Sequence, residues 1–332
     1  MPWSNRDSWS MAPCVREMIT YQPLETVIRT PPLGLRCIDI ATRAPVTTGL
    51  RISATLRNGV ARTMMATATL SGLHAFQGLP GLHDFEYGAQ SLLLTSPPLA
   101  SPPSGKEFAI NVEDVAGHYL PCGLILTLPR RDIITAPLFS APGRSAVPGF
   151  VAIRGGLKDK SRPPRADGTL EDAGFAHIKA QYNSPGATEY FALADARGQF
   201  VIFLPPPNPL MSPAGVSPSS PNTAGRKTVA ELRWPLTLTF FYQPADQRFI
   251  CTRANGRIEI ILGQQAGVTD VPQSASELRC VPDLQSLLVQ GAARVYATAT
   301  GPPAATLEPN IEFGKDLVVR TEGGEFNLWI EP

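Results

Sequence analysis

The sequence predicts a mainly β protein, built from tandem small antiparallel β-sandwich modules followed by a loop-rich C-terminal β region. The chain of 332 residues contains 34 prolines and 28 glycines, and both residue types disfavour long helices. Several short segments alternate apolar and polar side chains, which is the period of a strand with one buried face. No strand is followed by a helical pattern of about 10–15 residues, so a parallel doubly wound sheet is disfavoured.

The predicted strands fall into two groups along the first two thirds of the chain. Leu50–Leu56 alternates with period two and precedes Asn58-Gly59, a dipeptide typical of hairpin turns. The segment 71–81 predicts a turn, a short strand and another turn. The remaining strands of the first group are predicted over 35–40, 108–114 and 123–128, and those of the second group over 150–157, 176–182, 190–194 and 199–204.

A weak internal repeat relates the two groups. Each group runs from a strand, through a polar loop that contains proline, to an alternating strand. A glycine turn then leads to an aromatic strand that ends in Leu-Pro, at Leu79-Pro80 in the first group and at Leu204-Pro205 in the second. This order predicts two antiparallel sandwich modules, over residues 31–136 and 137–205.

Three further regions complete the predicted organisation. Residues 1–30 hold three prolines and show no clear period, which predicts an N-terminal arm. Residues 206–229 are a proline-rich loop, either a disordered linker or an extended loop that becomes ordered against a neighbouring subunit. The region 230–332 predicts strands over 234–242, 249–251 and 257–262, a short helix over 283–290, and a closing hairpin over 317–330 with a Gly-Gly turn.

Charge and cysteine content narrow the function classes and the location. The 29 basic and 28 acidic residues give a net charge of +1, which argues against a nucleic-acid partner because such binding needs a clustered basic excess. No signal-peptide pattern and no apolar run of about 18–20 residues occurs, which predicts synthesis in the cytoplasm and no membrane span. The five cysteines form no CxxC pair, so they are predicted to be small buried hydrophobic residues rather than a zinc or disulfide framework.

The sequence contains no motif that predicts catalysis or a cofactor. It has no Gly-x-Ser-x-Gly elbow and no glycine-rich phosphate-binding pattern. His74, His83 and Asp84 are close in sequence, but two loop histidines without a clear third ligand are a weak metal signal. His118 is expected to take part in a turn with Asp114, and His177 is expected to pack across strands or to face solvent. We therefore predict no enzyme activity, no cofactor and no metal.

Several fragments resemble carboxypeptidase-regulatory-like and transthyretin-like or immunoglobulin-like β-sandwich modules: Thr42–Val46, Ser71–Phe76 and Arg197–Phe200. Other stretches are similar to uncharacterised proteins encoded beside phage-tail-like contractile injection systems: Gly78–Glu86, Leu120-Pro121, Pro137–Arg144 and Val318–Thr321. Together the resemblances cover roughly residues 33–205 and the C-terminal hairpin. They imply a structural component of the particle, at the baseplate or on a fibre-like appendage, and they supply no catalytic residues.

The predicted function is therefore assembly with other subunits of such a particle (baseplate, sheath or fibre proteins, or further copies of the chain), with an extracellular location once the particle is released. The alternative is a receptor- or glycan-binding adhesin or fibre module. Trp234 and Trp329 are predicted to be core residues. The candidate assembly contacts combine tryptophans and prolines of the arm and loop with arginines, which are enriched at interfaces: Trp3, Trp9, Arg130, Arg131, Arg144, Pro206 and Pro207.

Overall fold

The computed structural model describes residues 30–59, 62–88, 105–183, 187–205, 233–253, 256–263, 278–312, 315–323 and 327–332. Except for Thr30, the predicted N-terminal arm lies outside the described residues, as does the proline-rich loop 206–229. The candidate contacts Trp3, Trp9, Pro206 and Pro207 therefore lie outside them as well.

Strands dominate the described residues, and the predicted mainly β class is confirmed. Two short helices lie fully within these ranges, α1 (His83–Gly88) and α2 (Leu284–Leu288). The strands are, in chain order, β1 (Leu33–Asp39), β2 (Leu50–Leu56), β3 (Thr63–Met65), β4 (Thr67–Ala68), β5 (His74–Phe76), β6 (Lys106–Asp114), β7 (Cys122–Leu128), β8 (Ile133–Leu138), β9 (Val151–Asp159), β10 (Glu171–Asp172), β11 (His177–Tyr182), β12 (Glu189–Leu193), β13 (Gln199–Leu204), β14 (Arg233–Phe241), β15 (Arg248–Arg253), β16 (Ile258–Leu262), β17 (Leu278–Pro282), β18 (Arg294–Tyr296), β19 (Thr306–Leu307), β20 (Asn310–Glu312), β21 (Leu317–Val319) and β22 (Leu328–Glu331).

Strands β1–β8 form two sheets around one core, which we call sandwich 1. The strand order is β4-β5-β1-β8 in one sheet and β3-β2-β6-β7 in the other. All pairs are antiparallel except β1 and β8, which are parallel. The inward-facing residues of alternating strands meet between the sheets, among them Leu35 of β1, Phe76 of β5 and Phe108 of β6, which are fully buried.

A second pair of sheets, sandwich 2, combines β9–β14 with β18–β22. Strand β9 is central to one sheet, with β13 and β10 along one edge and β21, β22 and then β18 on the other side. The other sheet has the order β12-β11-β14-β19, with β20 also pairing with β14. The core between them contains Phe200, Phe240 and Ile330. Strands from residues 233–331 thus share both sheets with strands from residues 151–204, across the predicted boundary at 205 and 230.

The connection between β12 and β13 passes from one sheet of sandwich 2 to the other. Asp195 forms this turn by accepting hydrogen bonds from the backbone N of Arg197 (2.9 Å) and of Gln199 (2.8 Å). Gly198 has a φ of +72°, and a Cβ there would lie 2.4 Å from the carbonyl oxygen of Leu157. The turn requires glycine for both reasons. The predicted turn is confirmed, and the two strands that it joins do not pair with each other.

Strands β15–β17 form a third unit with the order β16-β15-β17. Cys251 of β15 and Cys280 of β17 lie opposite each other and are joined by a disulfide, so we call this unit the cross-linked sheet. The prediction that cysteines are unpaired hydrophobic residues is wrong for these two and correct for Cys37 and Cys122, which are free and buried. The pairing was not predictable from spacing, because 29 residues separate the two cysteines and no motif marks them.

The predicted closing hairpin at the C-terminus is wrong. Strands β21 and β22 both run parallel to β9, at Ile153–Gly155 and at Leu157–Asp159 respectively. Two strands that are parallel to the same edge have the same direction, so they cannot form an antiparallel hairpin. Their apolar residues enter the core by pairing with β9. Trp329 lies half-buried on β22, and Trp234 lies half-buried against the core of sandwich 2.

The predicted helix over 283–290 is confirmed as α2, and Asp283 caps its N-terminus by accepting a hydrogen bond from the backbone N of Gln285 (3.3 Å). We expect Asp283→Ala to lower the free energy of unfolding by about 1 kcal/mol, because a backbone donor loses its acceptor. Asp283→Asn should keep most of the stability, since asparagine also caps helices. Urea unfolding of both variants measures the difference, and equal losses would contradict a capping role.

Candidate functional site at the sandwich junction

The linker 139–150 joins sandwich 1 to sandwich 2, and Arg144 fastens it to the first. Both Nη atoms of Arg144 donate to the carboxylate of Asp39, at 3.1 and 2.7 Å, and one also donates to Ser140 Oγ at 2.8 Å. The two side chains are largely buried, with 13% of Arg144 and 4% of Asp39 exposed. A bidentate pair of this kind fixes orientation as well as distance.

Aromatic rings from both sandwiches enclose the Arg144 guanidinium. Its Cζ lies 4.8 Å from the ring centre of Tyr119, at the end of sandwich 1, and 5.5 Å from that of Phe203, on β13 of sandwich 2. Cation–π contacts gain strength where water is excluded. Arg144 therefore contacts both bodies with a single side chain.

The electrostatics of this cluster favour the ionised pair. Burial alone would raise the pKa of Asp39, but hydrogen bonds from Arg144 and Thr42 and the positive charge of Arg144 outweigh it and hold the pKa below its usual value. Burial likewise opposes the charged form of Arg144, and its bonds to Asp39 nevertheless keep its pKa raised. The pKa of Tyr119 is raised by burial and by the negative charge of Asp39. The tyrosine stays neutral and the ion pair stays charged at neutral pH.

Arg154 of β9 holds the same linker from the side of sandwich 2. Its Nη atoms donate to the carbonyl oxygens of Pro142 (2.7 Å) and Arg144 (3.2 Å), and its Nε lies 3.6 Å from Asp316. Next to it, a small apolar cluster joins Phe203 to Val147 of the linker, with further contacts from Ala41, Phe150, Ala152 and Val201. Arg144 thus fixes the linker to sandwich 1, and Arg154 fixes it to sandwich 2.

His177 marks a second contact of the junction. Its ring stacks on Phe191 (centroids 5.4 Å apart), tilts against Phe241 (5.5 Å) and meets the edge of Phe139, the first linker residue (6.2 Å). Burial, and to a smaller extent the charge of Lys179, lowers the pKa of His177 to about 4. Its Nε2 is buried without a hydrogen-bond partner. The histidine is therefore held neutral, and the expected cross-strand packing is observed.

Buried amides make the third contact. Gln247, which is fully buried, donates from Nε2 to the carbonyl oxygen of Gly174 and to Oε1 of Gln290, both at 3.0 Å. Gln290 in turn donates to the carbonyl oxygen of Phe175 at 2.8 Å. These bonds connect the segment before β15 and the end of α2 to the loop that precedes β11. Gln247 Oε1 is itself buried without a hydrogen-bond partner, but the bonds that the two amides do form favour one arrangement of the packed elements.

Three of the candidate assembly contacts, Arg130, Arg131 and Arg144, lie within the described residues, and their environments differ. Arg130 and Arg131 precede β8 and are exposed, and Arg130 donates to its neighbour Asp132 from both Nε and Nη2 at 3.0 Å. Arg144 is a correction: its guanidinium is engaged inside the chain by Asp39 and Ser140, so it is not available to a neighbouring subunit.

The partners of Arg144 were missed by the sequence analysis. Asp39 is the last residue of β1 and accepts from Ala41 N and Thr42 Oγ1, both at 2.9 Å, which is a recognisable turn pattern. That signal identifies a turn and says nothing of an arginine 105 residues further along the chain.

The other polar candidates are separated or have structural roles. His74 is buried in β5, whereas the His83 side chain is 78% exposed, and no group of three or more His, Cys, Asp or Glu residues within the described ranges could hold a metal ion. Asp114 accepts from the backbone N of Ala116 (3.0 Å) and of His118 (2.5 Å), which is the expected turn bonding.

Neither a protein-family model nor a curated protein sequence matches the chain. None of the helices in the described parts of the chain is both long and apolar enough to cross a membrane.

Proposed function

We propose that the chain is a non-catalytic structural component of a phage-tail-like contractile injection particle, located at the baseplate or attached to it. The particle type rests on the sequence resemblance. The observation that supports a structural role is the junction, where Asp39, Arg144 and Arg154 hold the linker to both sandwiches. A subunit that positions its neighbours needs two bodies in one fixed relation. The buried bidentate pair of Arg144 with Asp39 on one side, and the carbonyl contacts of Arg154 on the other, favour such a relation.

Sheet edges offer surfaces for neighbouring subunits. Strands β8 and β12 each end the strand order of their sheet, so each has one edge without a partner among the described strands. The backbone groups of such an edge can pair with an extended segment of another subunit. On β8, Ile133 is 47% exposed, and the exposed Arg130 and Arg131 lie immediately before it. Arginine is enriched at protein–protein interfaces, which supports a protein partner at this edge.

The proposed function is tested by sedimenting large particles from the native source and identifying their subunits by mass spectrometry. We expect the chain to sediment in a fixed ratio with sheath and tube proteins. If the chain stays in the supernatant while the particles sediment, the proposal fails, and the alternatives to test are a receptor- or glycan-binding adhesin and an accessory domain of an enzyme.

The role of the β8 edge is tested in the same assay with Ile133→Lys. A lysine on an edge strand opposes pairing with a further strand, so incorporation into particles should fall at least tenfold while the variant remains folded. Val115→Lys is the matched control, because Val115 is 70% exposed in the turn after β6 and should be incorporated like the wild type. Normal incorporation of Ile133→Lys would exclude this edge as the contact.

A further inference from the structure

The cross-linked sheet covers the outer face of sandwich 1 through a small apolar contact. Ile250, Ile258 and Val281 are buried against Ala109 of β6, with the half-buried Ile125 of β7 beside them. These residues form a cluster of their own, separate from the cores of both sandwiches. A contact of this size contributes much less burial than either core, so its local opening costs less free energy than global unfolding.

Gly123 of β7 shows how closely the two surfaces approach. A Cβ at this position would lie 2.7 Å from Ile250 Cδ1 and 3.0 Å from Val281 Cγ2. Because Gly123 has no side chain, the side chains of Ile250 and Val281 pack into a recess over its backbone. This recess fits the cross-linked sheet only when β15 and β17 stay side by side, because one side chain comes from each strand.

The two ends of the cross-linked sheet are held differently. At its base, the backbone N of Asp283 donates to the carbonyl oxygen of Arg248 (2.8 Å), and the following α2 places Leu284 and Leu287 in the core of sandwich 1. Toward its other end, Arg279 pairs with Glu113 of β6 at 2.9 Å, but the Arg279 side chain is 70% exposed. Exposed ion pairs contribute little. The base is anchored firmly and the other end weakly.

The disulfide stands between these two ends. Cys251 is fully buried, whereas Cys280 is half-buried. It joins β15 to β17 next to the pair Ile250–Val281, whose side chains occupy the recess at Gly123. The cross-link therefore acts on the part of the sheet that makes the apolar contact.

We propose that Cys251 and Cys280 form a redox-sensitive device that controls whether the cross-linked sheet covers sandwich 1. When the cross-linked sheet closes over sandwich 1, the thiols of Cys251 and Cys280 are oxidised to one disulfide. A low-molecular-weight disulfide accepts the two electrons and two protons and is reduced to two thiols. Opening reverses this exchange. An external thiolate attacks Sγ of the more accessible Cys280, and Cys251 leaves as a thiolate and takes up a proton. A second external thiolate then releases Cys280 from the mixed disulfide and forms the external disulfide.

The two redox states differ in the surface that they present. The disulfide limits the separation of β15 and β17 and so disfavours the open form. In the reduced chain the strands can separate beyond Ile250 and Val281, which exposes the apolar surface around Ala109, Gly123 and Ile125. Oxidising surroundings, such as those outside the cytoplasm, keep the surface covered. The device operates in the isolated chain and does not depend on the proposed particle.

The test measures how fast a maleimide labels the introduced thiol of Ala109→Cys, which lies under the cross-linked sheet. The substitution is placed in the full chain with the native disulfide and in the full chain that also carries Cys251→Ala and Cys280→Ala. Peptide mapping separates this label from any at Cys14, Cys37 and Cys122. We expect labelling at least tenfold faster without the disulfide, and equal rates in the two chains would overturn the proposal.

Hydrogen exchange of the wild-type chain, before and after reduction, gives an independent measurement. Amides of 250–253 and 279–281 should exchange at least tenfold faster after reduction, while those of β9 and β13 in sandwich 2 keep their rates. If reduction also accelerates exchange in β9 and β13, the disulfide supports the whole fold and the local device is excluded. Unchanged exchange throughout would exclude it equally.

Discussion

Asp39→Ala is expected to lower the free energy of unfolding by about 3–5 kcal/mol, the range for breaking a buried ion pair by removing one partner. The Arg144 guanidinium would remain largely buried without a counter-ion, and Ala41 N and the Thr42 hydroxyl would lose their acceptor. Urea unfolding at pH 7 measures the change. Asp132→Ala, which removes the partner of the exposed Arg130, is the control and should leave the midpoint nearly unchanged.

A double-mutant cycle separates the pair itself from the unpaired charge that each single variant leaves behind. Arg144→Met keeps an apolar side chain between Tyr119 and Phe203 and removes the charge. If the loss in Asp39→Ala comes from the unpaired guanidinium, the chain with both substitutions should be more stable than the sum of the single losses predicts, by about 1–3 kcal/mol. Additive losses would show that Asp39 acts only on its own turn.

Local periodicity explains which parts of the fold were predictable. In Leu50–Leu56 and His177–Tyr182 apolar and polar side chains alternate because one face of each strand is buried. This pattern can be recognised from neighbouring residues alone. The strand β8 was missed because its Pro137 argues against a strand, although an edge strand tolerates proline. Short pieces such as β19 carry too few residues to show a period.

Pairing between segments that are distant in the sequence explains which parts of the fold and the site could not be predicted. Nothing local in Leu317–Val319 or Leu328–Glu331 indicates that both pair with β9 rather than with each other. The same holds for Arg144, whose partner Asp39 lies 105 residues earlier. Exposed charge was the default expectation for this arginine, and only the packed junction shows that it is internal. Charge and turn patterns in the sequence therefore predicted turns and exposed side chains near the site. The contacts between the two sandwiches are visible only in the folded structure.

His177 should make the protein sensitive to mild acid. The unfolded chain protonates this histidine near its ordinary pKa of 6.5, whereas the folded chain does so only near pH 4. Between these values the unfolded chain binds more protons, so acidification favours unfolding. The stabilising contribution is complete above about pH 6.5, is lost as the pH falls toward 4, and changes no further below that. At 1.36 kcal/mol per pKa unit the loss is about 3 kcal/mol.

His177→Phe isolates this effect, because phenylalanine fits among Phe139, Phe191 and Phe241 and cannot bind a proton. Its free energy of unfolding, measured by urea titration from pH 7 to pH 4, should fall much less than that of the wild type. A smaller slope will remain, since burial also lowers the pKa of His74. His83→Gln, at an exposed position, should keep the wild-type profile. If His177→Phe loses as much stability as the wild type over this range, the protonation of His177 is not the cause of the acid sensitivity.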